Sequence, residues 1–402
     1  GAVPTGAGVL VNGILPFARV EDTSAGSLDP LDLATYVPIE QGVAIEGLGN
    51  VTTTPGSMYI NGFSPVVNGV ATPTNTSSNV YIAPGTTVNL NNLASLYPNG
   101  IVNVNSLLIG AGATITGDVQ LNVNSGRVIF LDGASPSSIS VAVLNLAASG
   151  SFITTGASDG GTIQATINSQ ISGNAITSSA TVLGTLVKDG SGTLVLTNQN
   201  LYSASTNIAQ GILKATVTGA LGGSTGAVTV RAGATLQLDP GAGNTLSIAN
   251  KTLTLDGLGY GNTGNTVSGG INGSLTGGSL QVLSGTNFWV GAVNMGGGII
   301  DQAAMTGLAA VETGTYISTA VNSTLTISGA LGGSGIALEK TGTGTLVLDG
   351  VLTNSYSGAT FVNMGTLLLD KNPGTGPNSG GINAINTTMY IGDDIGGAGA
   401  AV

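Results

Sequence analysis

Short runs in which apolar and polar residues alternate dominate this chain. The runs are rich in Thr, Val, Leu and Ile and lie between Gly, Asn, Ser or Asp, as in Gly192–Leu196, Ala227–Val230, Ala234–Leu238, Thr252–Leu255, Thr324–Ile327 and Gly365–Leu369. A period of two is typical of β-strands. Asn-Gly pairs, which favour turns, begin at Asn12, Asn61, Asn68, Asn99 and Asn272. The pattern therefore predicts an all-β protein.

One longer pattern occurs twice along the chain. Lys188–Leu196 reads KDGSGTLVL and Lys340–Leu348 reads KTGTGTLVL, and the likeness continues from Tyr202–Leu213 to Tyr356–Leu367. Recurring units are typical of a solenoid, in which each coil stacks on its neighbour about 4.8 Å away. We therefore predict a parallel β-solenoid in which the shared positions are structural. These positions are Gly192, Thr193, Leu194, Tyr202 and Gly211 in the first copy, and Gly344, Thr345, Leu346, Tyr356 and Gly365 in the second.

The aromatic residues have two interpretations. Thr286–Gly291 (TNFWVG) is a candidate degenerate copy, with Trp289 near the position of the repeat tyrosine. Exposed aromatic side chains would form a sugar-binding stripe, whereas buried ones would stack between coils. The equivalence of Tyr202 and Tyr356 favours stacking between coils.

Composition limits what the chain does. Charged residues make up 7% of 402 positions, and 19 acidic against 8 basic side chains give a net charge of −11. Nucleic-acid binding needs a cationic patch, so this class is excluded. The chain has no histidine and no cysteine, which removes the commonest acid–base group and the usual zinc ligands. The 67 glycines follow no Gly-X-Y period, which excludes collagen. The apolar stretches are too short to span a bilayer.

The units G-x-G-T-L-x-L, Y-S-x-x-T and G-x-L, in this order, resemble the passenger-associated transport repeat of bacterial autotransporter passengers. The resemblance covers roughly Thr181–Leu369, and Gly219–Leu238 is similar to the sequence that commonly follows such repeats. It implies secretion, a right-handed β-helical stalk and display at the bacterial cell surface. A cleaved passenger and a relative exported by another route both fit the repeats.

The N-terminal segment has a different composition from the rest of the chain. Six acidic residues lie close together and are interspersed with prolines; they are Glu21, Asp22, Asp29, Asp32, Glu40 and Glu46. This composition favours loops or short helical turns over coils of a solenoid. We predict residues 1–50 as an acidic N-terminal cap or docking arm. Residues 51–160 are β-rich, as irregular coils or a separate β domain, and residues 161–402 form the repeat-bearing solenoid. A cap would protect an open β-edge, whereas an arm would engage a second subunit.

No motif supports catalysis. Gly392-Asp393-Asp394 resembles part of a galacturonase motif, but the companion elements are missing, including every histidine. Lys340-Thr341-Gly342 matches a β-lactamase motif, but no Ser-x-x-Lys precedes it and it lies inside a repeat. We predict no enzyme and no cofactor, while isolated aspartates at turns leave weak calcium binding open.

Two functional classes remain. Scarce charge with abundant Gly, Thr and Asn suits close lateral packing. We therefore favour a non-catalytic extracellular structural protein, a self-assembling subunit of a cell-surface filament, sheath or surface layer. Its partners would be copies of itself, in a homo-oligomer or homopolymer, with the acidic arm docking by strand addition. The alternative is an adhesin-type autotransporter passenger that binds host or surface glycans or proteins. Neither class involves nucleic acid or a membrane span.

Overall fold

The computed structural model describes a chain made almost entirely of β-strands. The described residues are 19–21, 31–39, 42–47, 59–64, 66–67, 70–131, 133–146, 150–154, 164–173, 185–223, 226–260, 277–301, 311–372 and 382–391. The chain divides into two compact units. The first comprises Gly1–Leu194 and Asn200–Ser203, and the second comprises Val195–Gln199 and Ala204–Val402. The boundary predicted at residue 160 thus lies within the first unit.

The first unit begins with a small antiparallel sheet and continues with parallel strands. Its strands are Arg19–Glu21 (β1), Leu31–Ile39 (β2), Gly42–Gly47 (β3), Tyr59–Asn61 (β4), Val66–Val67 (β5), Val70–Ala71 (β6), Asn79–Ile82 (β7), Thr87–Asn89 (β8), Ile101–Ile109 (β9), Thr114–Phe130 (β10), Ser137–Leu146 (β11), Gly150–Thr154 (β12), Gln164–Ile167 (β13), Gln170–Ser172 (β14) and Thr185–Asp189 (β15). A 3₁₀ turn, Leu90–Leu93, follows β8. Strand Thr193–Leu196 (β16) spans the boundary.

From β7 onward the first unit winds through three stacks of parallel strands. The first stack pairs β8, the start of β10, the start of β11 and β13. The second pairs the start of β9, the middle of β10, the end of β11 and β14. The third pairs β4, β7, the ends of β9 and β10, β12 and β15. Each turn of the chain adds one strand to each stack, which defines a parallel β-solenoid. The region 51–160 therefore contains solenoid coils.

The second unit repeats this organisation. Its strands are Ser205–Ile208 (β17), Gly211–Ala215 (β18), Val228–Val230 (β19), Ala234–Leu238 (β20), Thr245–Ile248 (β21), Leu253–Asp256 (β22), Leu280–Val282 (β23), Thr286–Trp289 (β24), Val293–Gly296 (β25), Gly298–Asp301 (β26), Val311–Thr319 (β27), Thr324–Ile327 (β28), Leu331–Gly332 (β29), Ile336–Thr341 (β30), Thr345–Gly350 (β31), Thr360–Val362 (β32), Thr366–Lys371 (β33) and Met389–Ile391 (β34). Three parallel stacks recur. They are β17-β19-β22-β25-β29, β18-β20-β23-β27-β30-β32-β34 and β21-β24-β28-β31-β33.

The alternation seen in the sequence sets which side chains enter the core. In the second stack of the first unit, Val102, Leu121, Leu144 and Ile171 occupy matching register positions and are fully buried. The neighbouring residues in each strand point outward because successive side chains alternate between the faces of a strand. Each coil therefore contributes one apolar layer, and the predicted parallel β-solenoid is confirmed.

The acidic segment contains strands where loops or short helical turns were expected. Strands β1, β2 and β3 form an antiparallel sheet in this order. Pro38 is tolerated in the central strand because β1 pairs only with Leu31–Leu33, so at Pro38 the strand has one described neighbour. Alternating Leu, Val, Ile and Tyr residues decide the local structure. The expectation of loops was wrong for Leu31–Ile39 and Gly42–Gly47.

We expect Leu236→Ala to lower the free energy of unfolding by about 2–5 kcal/mol. Leu236 is fully buried and stacks between Leu213 and Leu280 of the neighbouring strands. Urea unfolding followed by circular dichroism measures the change. Val321→Ala, at a side chain that is 65% exposed, is the control and should leave stability unchanged. Equal losses in both variants would contradict the inward orientation of Leu236.

Candidate functional site

The repeat positions hold equivalent places in the coils. Leu194, Leu346, Tyr202 and Tyr356 are all completely buried. Thr193 begins β16 and Thr345 begins β31, and Gly192 and Gly344 are buried immediately before them. The hydroxyl of Tyr356 lies 2.7 Å from that of Thr360. The repeat positions shape the coil, and the buried leucines and tyrosines are unavailable to a ligand.

Two of the repeat glycines are required by the backbone. Gly211 and Gly365 have φ angles of +67° and +70°, a region that side chains with a Cβ disfavour. Gly344 has an ordinary φ, but a Cβ there would lie 2.1 Å from the carbonyl oxygen of Ala320. The repeat thus uses glycine both to turn the chain and to bring coils together.

Each repeat also buries a lysine in the interior. Lys188 pairs in register with the buried Phe152, and Lys340 pairs with Ile317 and Val362. Lys188 Nζ donates to the carbonyls of Asp189 at 3.0 Å and Gly190 at 2.7 Å. Lys340 Nζ donates to Thr341 and Gly342, both at 2.7 Å, and to Met364 at 3.1 Å. The lysines therefore tie the turn after each strand, since these carbonyls lie in or beside the turns.

Burial lowers the pKa of Lys340 and of two further lysines, Lys251 and Lys371. Desolvation lowers the pKa of Lys340 to about 7 and that of Lys251 to about 8. The carbonyl acceptors around Lys340 oppose this shift because they favour the charged form. Burial also lowers the pKa of Lys371, while the charge of Asp349 opposes the change.

An asparagine two residues before each repeat tyrosine bridges coils. Asn200 Oδ1 accepts the backbone N–H of Ile171 at 2.7 Å, and Asn354 Oδ1 accepts that of Leu331 at 2.9 Å. Asn354 also donates from Nδ2 to the carbonyl of Ala384 at 2.8 Å. Both side chains are buried. They supply hydrogen bonds at a corner where the chain is not in a strand.

Trp289 and the two repeat tyrosines do not form a sugar-binding stripe. Trp289 is completely buried, as are both repeat tyrosines, and its indole N–H donates to the carbonyl of Lys251 at 3.0 Å. Trp289 pairs with Ile327, which in turn pairs with Leu348. Trp289 therefore corresponds to the last leucine of the GTLVL unit, and its expected equivalence to the tyrosine was wrong. The indole fills interior space that smaller residues fill in neighbouring coils.

The acidic residues proposed as an assembly arm are only partly described. Glu21 lies in β1, Asp32 in β2 and Glu46 in β3, and Asp32 pairs in register with Val20. Asp22, Asp29 and Glu40 lie outside the described residues. The docking role of the segment stays a prediction.

A groove of about 730 Å³ lies on the outer face of the second stack of the first unit. Its floor consists of outward residues that share two register rows. One row contains Ile101, Gln120, Val143 and Gln170, and the other contains Asn103, Asn122, Asn145 and Ser172. We call this feature the amide groove. It is positioned by the same alternation that sends Val102 and Leu121 into the core.

The carboxamides of the amide groove are bonded to one another. Gln120 Nε2 donates to Asn122 Oδ1 at 2.7 Å, and Asn145 Nδ2 donates to the same oxygen at 2.9 Å. Asn122 Nδ2 donates to Asn103 Oδ1 at 2.8 Å, and Ser172 Oγ donates to Asn145 Oδ1 at 3.3 Å. This ladder crosses four coils and fixes the orientation of each amide.

The walls of the amide groove are largely apolar. They include Pro73, Leu96, Pro98 and Leu201, and the Leu201 side chain is 60% exposed. Tyr97 anchors one wall, because its hydroxyl donates to the carbonyl of Phe63 at 2.5 Å and accepts the N–H of Thr74 at 2.8 Å. The groove therefore combines a polar floor with apolar sides, as binding sites commonly do.

Similarity to known proteins agrees with the geometry of the repeats. The passenger-associated transport repeat family matches residues 186–215 and 338–369, which contain the lysine, glycine and tyrosine positions described above. The chain is also similar to the adhesin BmaC autotransporter of Brucella suis biovar 1 (strain 1330), with 29% identity over 143 residues. This covers 30% of the present chain and 4% of the length of that relative. No solved structure matches the chain.

The chain therefore carries autotransporter passenger repeats on a parallel β-solenoid. The repeats indicate a surface-exposed or extracellular location. The described residues include no helix that is long and apolar enough to cross a membrane. They also include no group of three or more acidic side chains placed to hold a metal ion.

Sequence reasoning missed the amide groove and the buried lysines. Residues 51–160 were predicted to be β-rich, and within them Ile101–Ile109 and Val119–Val123 show the alternation that places Asn103 and Asn122 on the outer face. Whether these two side chains become neighbours depends on strand register, which the sequence does not supply. The lysines carried a clearer signal, because Lys188 and Lys340 precede the same glycine pattern in both copies.

We expect Lys340→Met to flatten the pH dependence of stability. Lys340 is protonated in both states below about pH 7, whereas between about pH 7 and 10.5 the unfolded chain binds the extra proton. Stability therefore rises with pH in this window, by about 1 kcal/mol per pH unit from this group. Urea unfolding at several pH values up to about 9 measures the slope. Lys214→Met, at the ion pair with Asp239, is the control. Parallel curves for wild type and Lys340→Met would contradict the lowered pKa.

We expect Asn354→Ala to lower the free energy of unfolding by about 1–3 kcal/mol, because the buried N–H of Leu331 and the half-buried carbonyl of Ala384 lose their partner. Thr353→Ala, at the exposed neighbouring position, is the matched control. Thermal unfolding followed by circular dichroism compares the variants. A change in Asn354→Ala no larger than that in the control would show that the bridge is dispensable.

Proposed function

We propose that the chain is a non-catalytic, adhesive segment of an autotransporter passenger, displayed at the bacterial cell surface, that binds host or surface glycans or proteins. The observation that carries the proposal is the amide groove, which presents bonded carboxamides between apolar walls on an outer face. The passenger repeats and the similarity to a protein named as an adhesin support the same function.

The repeats and the groove have separate roles in this proposal. The leucines and tyrosines of the repeats are buried and stabilise the coils, so binding falls to outward residues. Among the described residues, those that line the groove include no carboxylate, lysine or arginine, and its polar groups are amides and hydroxyls. Such groups recognise a ligand through hydrogen bonds without transforming it.

Adhesion is tested with the purified full chain coupled to beads. Coated beads should bind cultured epithelial cells or bacterial cells several-fold better than beads coated with albumin. Electron microscopy of the same preparation shows whether the chain is dispersed or assembled. Binding by dispersed particles supports the adhesive function.

The contrary outcome is filaments or sheets that bind no cell. It would overturn the adhesive function and favour the self-assembling subunit expected from composition. Deletion of Glu21–Glu46 would then test whether the acidic segment is the docking arm, because assembly should disappear with it.

A further inference from the structure

We infer that the amide groove is a binding site for a neutral, hydroxyl-rich glycan, with Asn103 and Gln120 as the residues that contact it. The inference rests on the proposed adhesive function and narrows it to one ligand class and one face of the first unit. Four features of the groove lead to this assignment: its charge, its free amide atoms, its backbone and its walls.

The first feature is the absence of charge. None of the residues that line the groove within the described part of the first unit is acidic or basic. A sulfated or phosphorylated ligand would need arginine or lysine partners. The chain as a whole carries a net charge of −11, which also disfavours anions. The ligand is therefore neutral.

The second feature is a pair of amide atoms that make no hydrogen bond within the ladder. Asn103 uses Oδ1 and Gln120 uses Nε2 within it, and in the described part of the chain Asn103 Nδ2 and Gln120 Oε1 have no protein partner. Both side chains are half-buried at the groove. A donor and an acceptor in the two register rows of one sheet face suit hydroxyl groups, each of which both donates and accepts.

The ladder fixes these atoms before a ligand arrives. Asn122 accepts two hydrogen bonds and donates one, so the orientation of its neighbours is set by protein contacts. Binding then costs little side-chain entropy. The coils repeat about every 4.8 Å, so a ligand that itself repeats can contact successive coils.

The third feature disfavours peptide ligands that bind through their main chain. The floor of the groove is a sheet face, and the strands at its centre, the middle of β10 and the end of β11, are paired with strands on both sides. Strand addition needs a strand edge, so a peptide that lies over this central floor finds no backbone group to pair with. Proline-rich peptides need a groove lined with exposed aromatic rings, but Tyr97 is 6% exposed.

The fourth feature is the apolar walls. Pro73, Pro98 and Leu201 rise beside the amide floor and present aliphatic surface. The faces of a sugar ring carry C–H groups that pack against such surface, while its hydroxyls meet the amides. Small apolar molecules would leave the floor amides without partners, which disfavours them.

Isothermal titration of the full chain with dextran, mannan and arabinogalactan tests the inference, with heparin and polyproline as the competing ligand classes. At least one neutral polysaccharide should bind, and its affinity should be independent of salt because no charges are involved. Asn103→Ala and Gln120→Ala should each weaken it by about tenfold. Gln237→Ala is the matched control, since Gln237 is an outward amide bonded to Gln281 in the second unit and lies outside the groove.

The remaining outcomes overturn the inference. They are binding of heparin or polyproline alone, binding of none of the probes, or equal losses in Gln237→Ala and the groove variants. Unfolding midpoints of the variants show whether a loss reflects misfolding, and Gln120→Asn then serves as a milder change.

Bead adhesion separates the two proposals. If wild-type beads adhere and the groove variants adhere equally well, the glycan site is wrong and the adhesive function stands. If wild-type beads do not adhere, the adhesive function itself fails.

Discussion

Hydrogen bonding between parallel strands in strict register is the constraint on which this structure depends. Each strand of a stack pairs residue by residue with the strand one coil away, as Thr245, Thr286, Thr324, Thr345 and Thr366 do along one stack. Register fixes which side chains face inward, because a slip of one residue would expose the whole apolar row. Similar residues therefore stack on one another, and the coils become equivalent.

The same constraint explains the buried polar groups. Backbone groups at the corners of a coil have no strand partner, and a buried N–H or C=O needs one. Lys340 and Asn354 supply these bonds, to the carbonyls of Thr341 and Gly342 and to the N–H of Leu331. The ammonium group is retained in the core because it has three acceptors, although burial lowers its pKa. On the outer face, register instead aligns amides into the groove, so the solenoid both stabilises the chain and creates its candidate binding surface.

The sequence predicted the architecture better than the site. Alternating runs such as Gly192–Leu196 and the duplicated repeat identify a parallel β-solenoid, because both features are local. The strands around Leu31–Ile39 were mistaken for loops, since proline was given more weight than the alternation beside it. The amide groove depends on which residues become neighbours across coils, and the ladder from Asn103 to Ser172 joins segments far apart in the chain. Likewise, the sequence shows Trp289 but not the register that places it beside Ile327.

Cysteine cross-linking tests the register of the coils most directly, because the chain contains no cysteine of its own. Thr286 and Thr324 pair in adjacent strands, so their Cα atoms are about 4.8 Å apart, within the range that a disulfide bridges. Thr245 and Thr324 lie two coils apart. After mild oxidation, the Thr286→Cys, Thr324→Cys double variant should lose two hydrogens by mass spectrometry and form an intramolecular disulfide, whereas the Thr245→Cys, Thr324→Cys pair should stay reduced. Oxidation of the second pair in place of the first would contradict the parallel stacking of coils.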